Sequence, residues 1–149
     1  ISSELAHRAV AAAIGSAGSD RAGSATTLAV AVVTGDQLTV VSFGDSLAGV
    51  ARNKTLRPVN QVSPFLDATT IPTEAPISQT LLEAGDVVIA ATDGLTDFLG
   101  RGGRRELGRL LFSGDQPVRL AEASIELAFA GGAGDNIAVA LFAHPPAGA

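Results

Sequence analysis

The sequence contains no cysteine, no methionine, no tryptophan and no tyrosine. Without cysteine there are no disulfides, no thiolate zinc sites and no cysteine nucleophile, which removes the cysteine-dependent phosphatases among others. Histidine is almost as scarce. His7 falls on the polar face of a predicted helix and His144 in a predicted C-terminal tail, so a histidine-ligated metal gains no support. Positive charge is short as well: ten Lys and Arg face fifteen Asp and Glu, a net charge of −5. Phosphate backbones favour the opposite balance, so nucleic acid is not an expected partner. The one basic cluster, Arg101, Arg104 and Arg105, reads as a solvated surface. Long apolar runs are also missing. Runs such as Leu28 to Val33 are far too short to cross a bilayer, and the N-terminus lacks a charged-then-apolar signal pattern. No membrane association and a cytoplasmic setting are the expectation. The absence of any Met leads us to expect a processed, trimmed or partly represented chain.

What is present is enough for a core. With 149 residues, 46% hydrophobic and 17% charged, the chain reads as one folded domain over residues 1–149. Ser2 or Ser3 can cap a helix over Glu4–Ile14, whose Leu5, Ala9, Val10, Ala13 and Ile14 form a stripe at helical spacing. Ala25–Val33 and Leu38–Phe43 are β-branched, apolar runs around a Thr34–Gln37 turn, a predicted hairpin. Leu47–Ala51 is a further strand. From Leu56 to Gln79, with prolines at 58, 64, 72 and 76, the pattern predicts a long irregular excursion of the functional-flap kind. Val87–Ala91 is a buried strand, broken by Thr92-Asp93-Gly94 into a helix start over Leu95–Leu99. Helices follow over Arg104–Phe112 and Val118–Ala130, and a last strand over Ile137–Phe142. Hairpins first and paired helices later predict an α+β fold of antiparallel sheets with helices on their faces.

Three aspartates share one setting. Asp45, Asp93 and Asp135 each sit beside glycine at the edge of an apolar strand, in FGDS, ATDG and AGDN. If those strands are neighbours, the carboxylates converge on one rim. Clustered carboxylates raise each other's pKa and call for a cation, and all-oxygen ligands point to Mg²⁺ or Mn²⁺. The competing reading makes each a turn residue on an unrelated corner.

Taken in order, GSATT (Gly23–Thr27), GDS (Gly44–Ser46), LLEAGDVVIAATDGLTDFL (Leu81–Leu99) and GDNIAVALF (Gly134–Phe142) resemble the PP2C-type family of metal-dependent serine/threonine phosphatases. The resemblance spans most of the chain. It implies an αββα sandwich of two antiparallel sheets flanked by helices, with two Mn²⁺ or Mg²⁺ ions at one end. Asp93 and Asp135 would be metal ligands, and Asp45, with Asp93, would belong to the third-metal position that some members show. The implied reaction is hydrolysis of phosphoserine or phosphothreonine in a phosphorylated protein substrate by a metal-activated water, with no protein nucleophile. The excursion Leu56–Gln79 would occupy the place of the family's variable flap. The family's early acidic strand residue and its DGxGG-like stretch do not occur here, nor do the phosphate-binding arginine and the histidine general acid of that region. The sequence is therefore expected to be the C-terminal part of such a domain.

Two other functions compete. Without the bridging aspartate the domain would be a pseudophosphatase, a binding or regulatory module. Alternatively, Phe43-Gly44-Asp45-Ser46-Leu47 spells the GDSL signature of a serine esterase family, with Ser46 as nucleophile and His144 with Asp135 as the only partners. That family's late Asp-x-x-His spacing is absent, since residue 141 is leucine. Ser46 is then a turn residue whose hydroxyl bonds nearby backbone.

Overall fold

The computed structural model describes residues 25–67, 76–100 and 102–145. Its elements are β1 (Ala25–Thr26), β2 (Leu28–Thr34), β3 (Gln37–Phe43), β4 (Leu47–Arg52), β5 (Thr55–Pro58), β6 (Leu66–Asp67), β7 (Ile77–Leu81), β8 (Val87–Ala91), α1 (Asp93–Thr96), α2 (Gly103–Leu111), α3 (Pro117–Ala130) and β9 (Val139–Ala143). The helix expected over Glu4–Ile14 lies outside the described residues.

The β-branched run of β2 returns through the Gly35 turn as β3, pairing from Leu28↔Phe43 to Thr34↔Gln37. β4 and β5 form a second hairpin whose two-residue loop, Asn53 and Lys54, has φ of 50° and 62°. Such a loop needs positive angles at both centres to match the twist of its strands. Every pairing is antiparallel. The strand order is β2-β3-β7 in one sheet and β5-β4-β8-β9 in a second, with β1 and β6 as a separate pair.

The sheets pack face to face. Leu38, Val40, Ala48, Val50, Leu82 and Val88 fill the space between them. On the other face of the four-stranded sheet, Leu47, Ala51, Val87, Ile89 and Ala91 meet Leu95, Leu107, Leu111, Leu120 and Ala128 of the helical segments. Leu107 and Leu111 on α2, and Leu120, Ser124 and Ala128 on α3, are buried at four-residue spacing, as an amphipathic helix requires. Each fully buried leucine contributes roughly 2 kcal/mol of transfer free energy. This is an α+β fold of two antiparallel sheets with helices packed on the four-stranded one.

Three expectations need correction. The stretch Leu56–Gln79 is not uniformly irregular: β5, β6 and most of β7 lie in it. β5 is a short, largely exposed return of the β4 hairpin, while β6 and β7 pair with the distant β1 and β3, and neither arrangement leaves much trace in local pattern. The helix expected from Leu95 starts at Asp93 and lasts one turn. His144 is not in a loose tail but only 9% exposed.

His144 belongs to a clasp at the Val87–Ala51–Ala143 end of the four-stranded sheet. Its backbone N–H donates to the Asp86 carbonyl at 2.8 Å, and its Nε2 lies 3.1 Å from Asp36 Oδ1 in the β2–β3 turn. A carboxylate only accepts, so the imidazole proton of that bond sits on Nε2. Asp86, 1% exposed, takes Arg52 Nε at 2.9 Å, Arg52 Nη2, and the Glu83 backbone N–H at 2.8 Å. Arg52 also reaches Glu83 Oε1 at 2.6 Å and the Leu81 carbonyl at 2.8 Å. Burial pushes the Asp86 carboxyl up, but the Arg52 guanidinium and the Glu83 N–H outweigh it and hold the group below its ordinary value. The hydrogen bond to Asp86 in turn raises Arg52.

Candidate functional site

The register of the four-stranded sheet fixes where the three aspartates lie. Ala91, the last residue of β8, pairs with Leu47, the first of β4, and with Val139, the first of β9. Asp45 lies two residues before Leu47, Asp93 two after Ala91, and Asp135 four before Val139. All three therefore sit on one rim, at the end opposite the Asp86 clasp.

The Asp93 and Asp135 loops are stitched together. Thr92 N donates to the Ala138 carbonyl at 3.1 Å; Thr92 Oγ1 accepts from Ala138 N at 3.0 Å and donates to the Asn136 carbonyl at 3.3 Å. Thr92 stands at the N-cap position of α1, yet its hydroxyl makes no capping bond. It is used across the loops instead. Gly94 makes the approach possible, because a Cβ there would lie 2.4 Å from the Asn136 carbonyl oxygen. Each carboxylate folds onto the next backbone N–H: Asp93 Oδ1 accepts from Gly94 at 2.8 Å and Asp135 Oδ1 from Asn136 at 2.7 Å.

The Asp45 turn is braced differently. Gly44, at φ +80°, packs so tightly on Thr27 that a Cβ would come within 2.5 Å of its methyl. Gly44 N donates to the Pro64 carbonyl at 3.0 Å, and Ser63 N to the Gly44 carbonyl at 3.2 Å. The Ser46 hydroxyl is 2.7 Å from that of Thr27, so it bonds a side chain rather than the nearby backbone expected.

Asp93 is half-buried while Asp45 and Asp135 are exposed. Among the described residues none of them has a cationic partner. Uncompensated carboxylates on one rim fit a hard, oxygen-seeking cation in donor chemistry and in charge. They do not complete its shell, because among the described residues no three His, Asp or Glu side chains are gathered closely enough to hold a metal. The arrangement is one side of a site.

No family model and no curated protein matches this sequence. Solved structures do. The S. agalactiae serine/threonine phosphatase superposes with a TM-score of 0.76 at 21% identity, over 92% of this chain and 67% of its own. The Mycobacterium tuberculosis serine/threonine phosphatase PstP/Ppp gives 0.74 at 23% identity, over 94% of this chain and 68% of its own. The catalytic domain of PstP in complex with two manganese ions gives 0.73 at 24%, over 92% and 65%. The chain has the PP2C-type phosphatase fold. It spans about two thirds of the length of the phosphatases it superposes on.

On that fold the esterase constellation does not assemble. Ser46 precedes the first residue of β4, whereas His144 follows the last residue of β9 at the far end of the sheet, bonded to Asp36. A five-residue strand separates them by roughly 17 Å, too far for a base to reach a nucleophile. Thr92 and Gly94 were legible only as strand-breaking turn residues. A Thr before Asp-Gly signals a helix N-cap, and nothing local shows that its hydroxyl is spent on Asn136 and Ala138.

Proposed function

We propose that this chain contributes the Asp93, Asp135 and Asp45 side of the metal centre of a PP2C-type phosphatase, which hydrolyses phosphoserine and phosphothreonine in protein substrates. One observation carries the reading: the Leu47–Ala91–Val139 register brings to one rim of this fold three carboxylates that have no cationic partner among the described residues. The superposed PstP domain, which holds two manganese ions, supports it. Asp93 and Asp135 would hold Mn²⁺ or Mg²⁺, and Asp45 a further ion. Such ions, when bound, supply Lewis-acid charge that acidifies water and neutralises phosphoryl oxygens. The chain's own task is positional. Thr92 and Gly94 keep the Asp93 and Asp135 loops at hydrogen-bonding distance, and the Gly44–Pro64 contact holds the Asp45 turn against its neighbour. A phosphorylated side chain would approach this rim, with the segment after β5 forming one border.

The test is hydrolysis of p-nitrophenyl phosphate with Mn²⁺ by this chain and by any longer form of the protein that contains it. Turnover abolished by EDTA and by Asp93→Asn is the expected result. A second reading follows from the incomplete ligand set among the described residues: the rim serves a non-catalytic module that binds a partner. No turnover in any form, with no calorimetric Mn²⁺ binding, would overturn the enzymatic reading.

A further inference from the structure

β5 leaves β4 before the rim is reached. Their pairing runs from Arg52↔Thr55 to Gly49↔Pro58, and Pro58 has no N–H with which to extend a ladder. The rim-side backbone of β4 therefore needs other partners. The Ala48 carbonyl receives the N–H groups of Val59 at 2.8 Å and Asn60 at 3.2 Å. The next two groups are met by one side chain: Ala48 N donates to Asn60 Oδ1 at 2.8 Å, and Asn60 Nδ2 donates to the Ser46 carbonyl at 2.8 Å. The two bonds bracket Leu47 as the N–H and C=O of a single residue on a neighbouring parallel strand would. A primary carboxamide can do this because its oxygen and the N–H cis to that oxygen face the same edge, whereas the N–H and C=O of a trans peptide point apart.

We infer that Asn60 is a positioning residue for Asp45: its carboxamide fixes the Ser46 carbonyl, and so the exit of the Gly44–Asp45–Ser46 turn, on the rim shared with Asp93 and Asp135. The inference rests on the metal-dependent phosphatase reading. The entry to the turn is held by backbone groups of Ser63 and Pro64, which many residue types would supply. The exit depends on a specific side chain. Aspartate at 60 would still accept from Ala48 N but would set a carboxylate oxygen against the Ser46 carbonyl and add negative charge beside Asp45. Alanine would leave both backbone groups without partners.

The experiment is a Mg²⁺ titration followed by backbone amide shifts in the unmodified protein, Asn60→Asp and Asn60→Ala, with amide exchange at Ala48. Ala48 N–H protection should be kept in Asn60→Asp and lost in Asn60→Ala. The Mg²⁺ midpoint read at Ser46 should rise about tenfold in both variants, the size typical when a ligand loses its supporting hydrogen bond. A purely structural asparagine would lower the melting temperature and leave that midpoint unmoved, and this result overturns the inference. If Asn60→Ala fails to fold, Asn60→Asp carries the comparison alone. No shift at Gly94 or Asn136 in the unmodified protein, in this chain or in any longer form that contains it, overturns the phosphatase reading and this inference with it. Shifts there with an unchanged Ser46 midpoint in the variants overturn this inference only.

Discussion

The four-stranded sheet carries aspartates at both ends, and the fold treats them in opposite ways. At the end formed by Ala51, Val87 and Ala143, Asp86 is buried and neutralised by Arg52. At the Leu47, Ala91 and Val139 end, Asp45, Asp93 and Asp135 have no cationic partner among the described residues. A buried charge without a partner costs several kcal/mol, so Asp86 is tolerable only with its arginine. Exposed and half-exposed carboxylates are solvated by water and can wait for a cation from outside. The same residue type is thus cement at one end and a receptor at the other, and the difference lies in burial and in what stands opposite.

The comparison breaks most sharply at Arg52. Arg52→Met leaves Asp86 buried and unpaired, and we expect a loss of about 3–5 kcal/mol in urea unfolding at neutral pH. A loss below about 1 kcal/mol would show that the clasp does not depend on its cation. The next largest effect is expected at the rim, from backbone rather than charge. Gly94→Ala drives a methyl against the Asn136 carbonyl and should cost about 1–3 kcal/mol, with amide shifts concentrated at Asn136 to Ala138. An unshifted Asn136 would mean that the two loops are not held by this approach.

Acid sharpens the contrast further. The folded Asp86 carboxyl lies below its ordinary value, so its stabilisation is complete above the unfolded-chain pKa of about 4. It is lost as pH falls from there through the lower folded-state value. Melting curves between pH 6 and pH 2 should show this decline, and Arg52→Met should flatten it. The smallest effect belongs to the rim carboxylates. Asp93→Asn and Asp135→Asn should change stability by no more than about 0.5 kcal/mol, whereas Asp86→Asn should destabilise clearly. A large stability loss from either rim variant would place it among the structural aspartates.

Much of the fold was readable locally. The β2–β3 hairpin, the strand Val87–Ala91 and the helices near 104–112 and 118–130 carry periodicities that match their burial, because each presents one face to a core. β5, β6 and β7 were not readable. They are short, partly exposed and interrupted by proline-containing chain, and the partners of β6 and β7 are distant in sequence. The candidate site divides in the same way. Asp-Gly and Gly-Asp at strand ends named Asp45, Asp93 and Asp135, while nothing local marked Asn60, whose role exists only because β5 stops pairing at Pro58. Arg52 stands one residue past the predicted strand Leu47–Ala51, and His144 read as tail. Their partners, Asp86 and Asp36, lie 34 and 108 residues away.

The sequence by itself determined what kind of chemistry this chain can hold. Lacking cysteine and nearly lacking histidine, it leaves carboxylate oxygen as the main ligand type, and strand-breaking glycines set three aspartates where strands end. Tertiary structure alone decided which aspartates remain free. That choice depends on strand register, which aligns Leu47, Ala91 and Val139, and on burial, which surrounds Asp86 with donors at the other end. Register and burial are properties of packed pairs of segments, and no single stretch of sequence contains them.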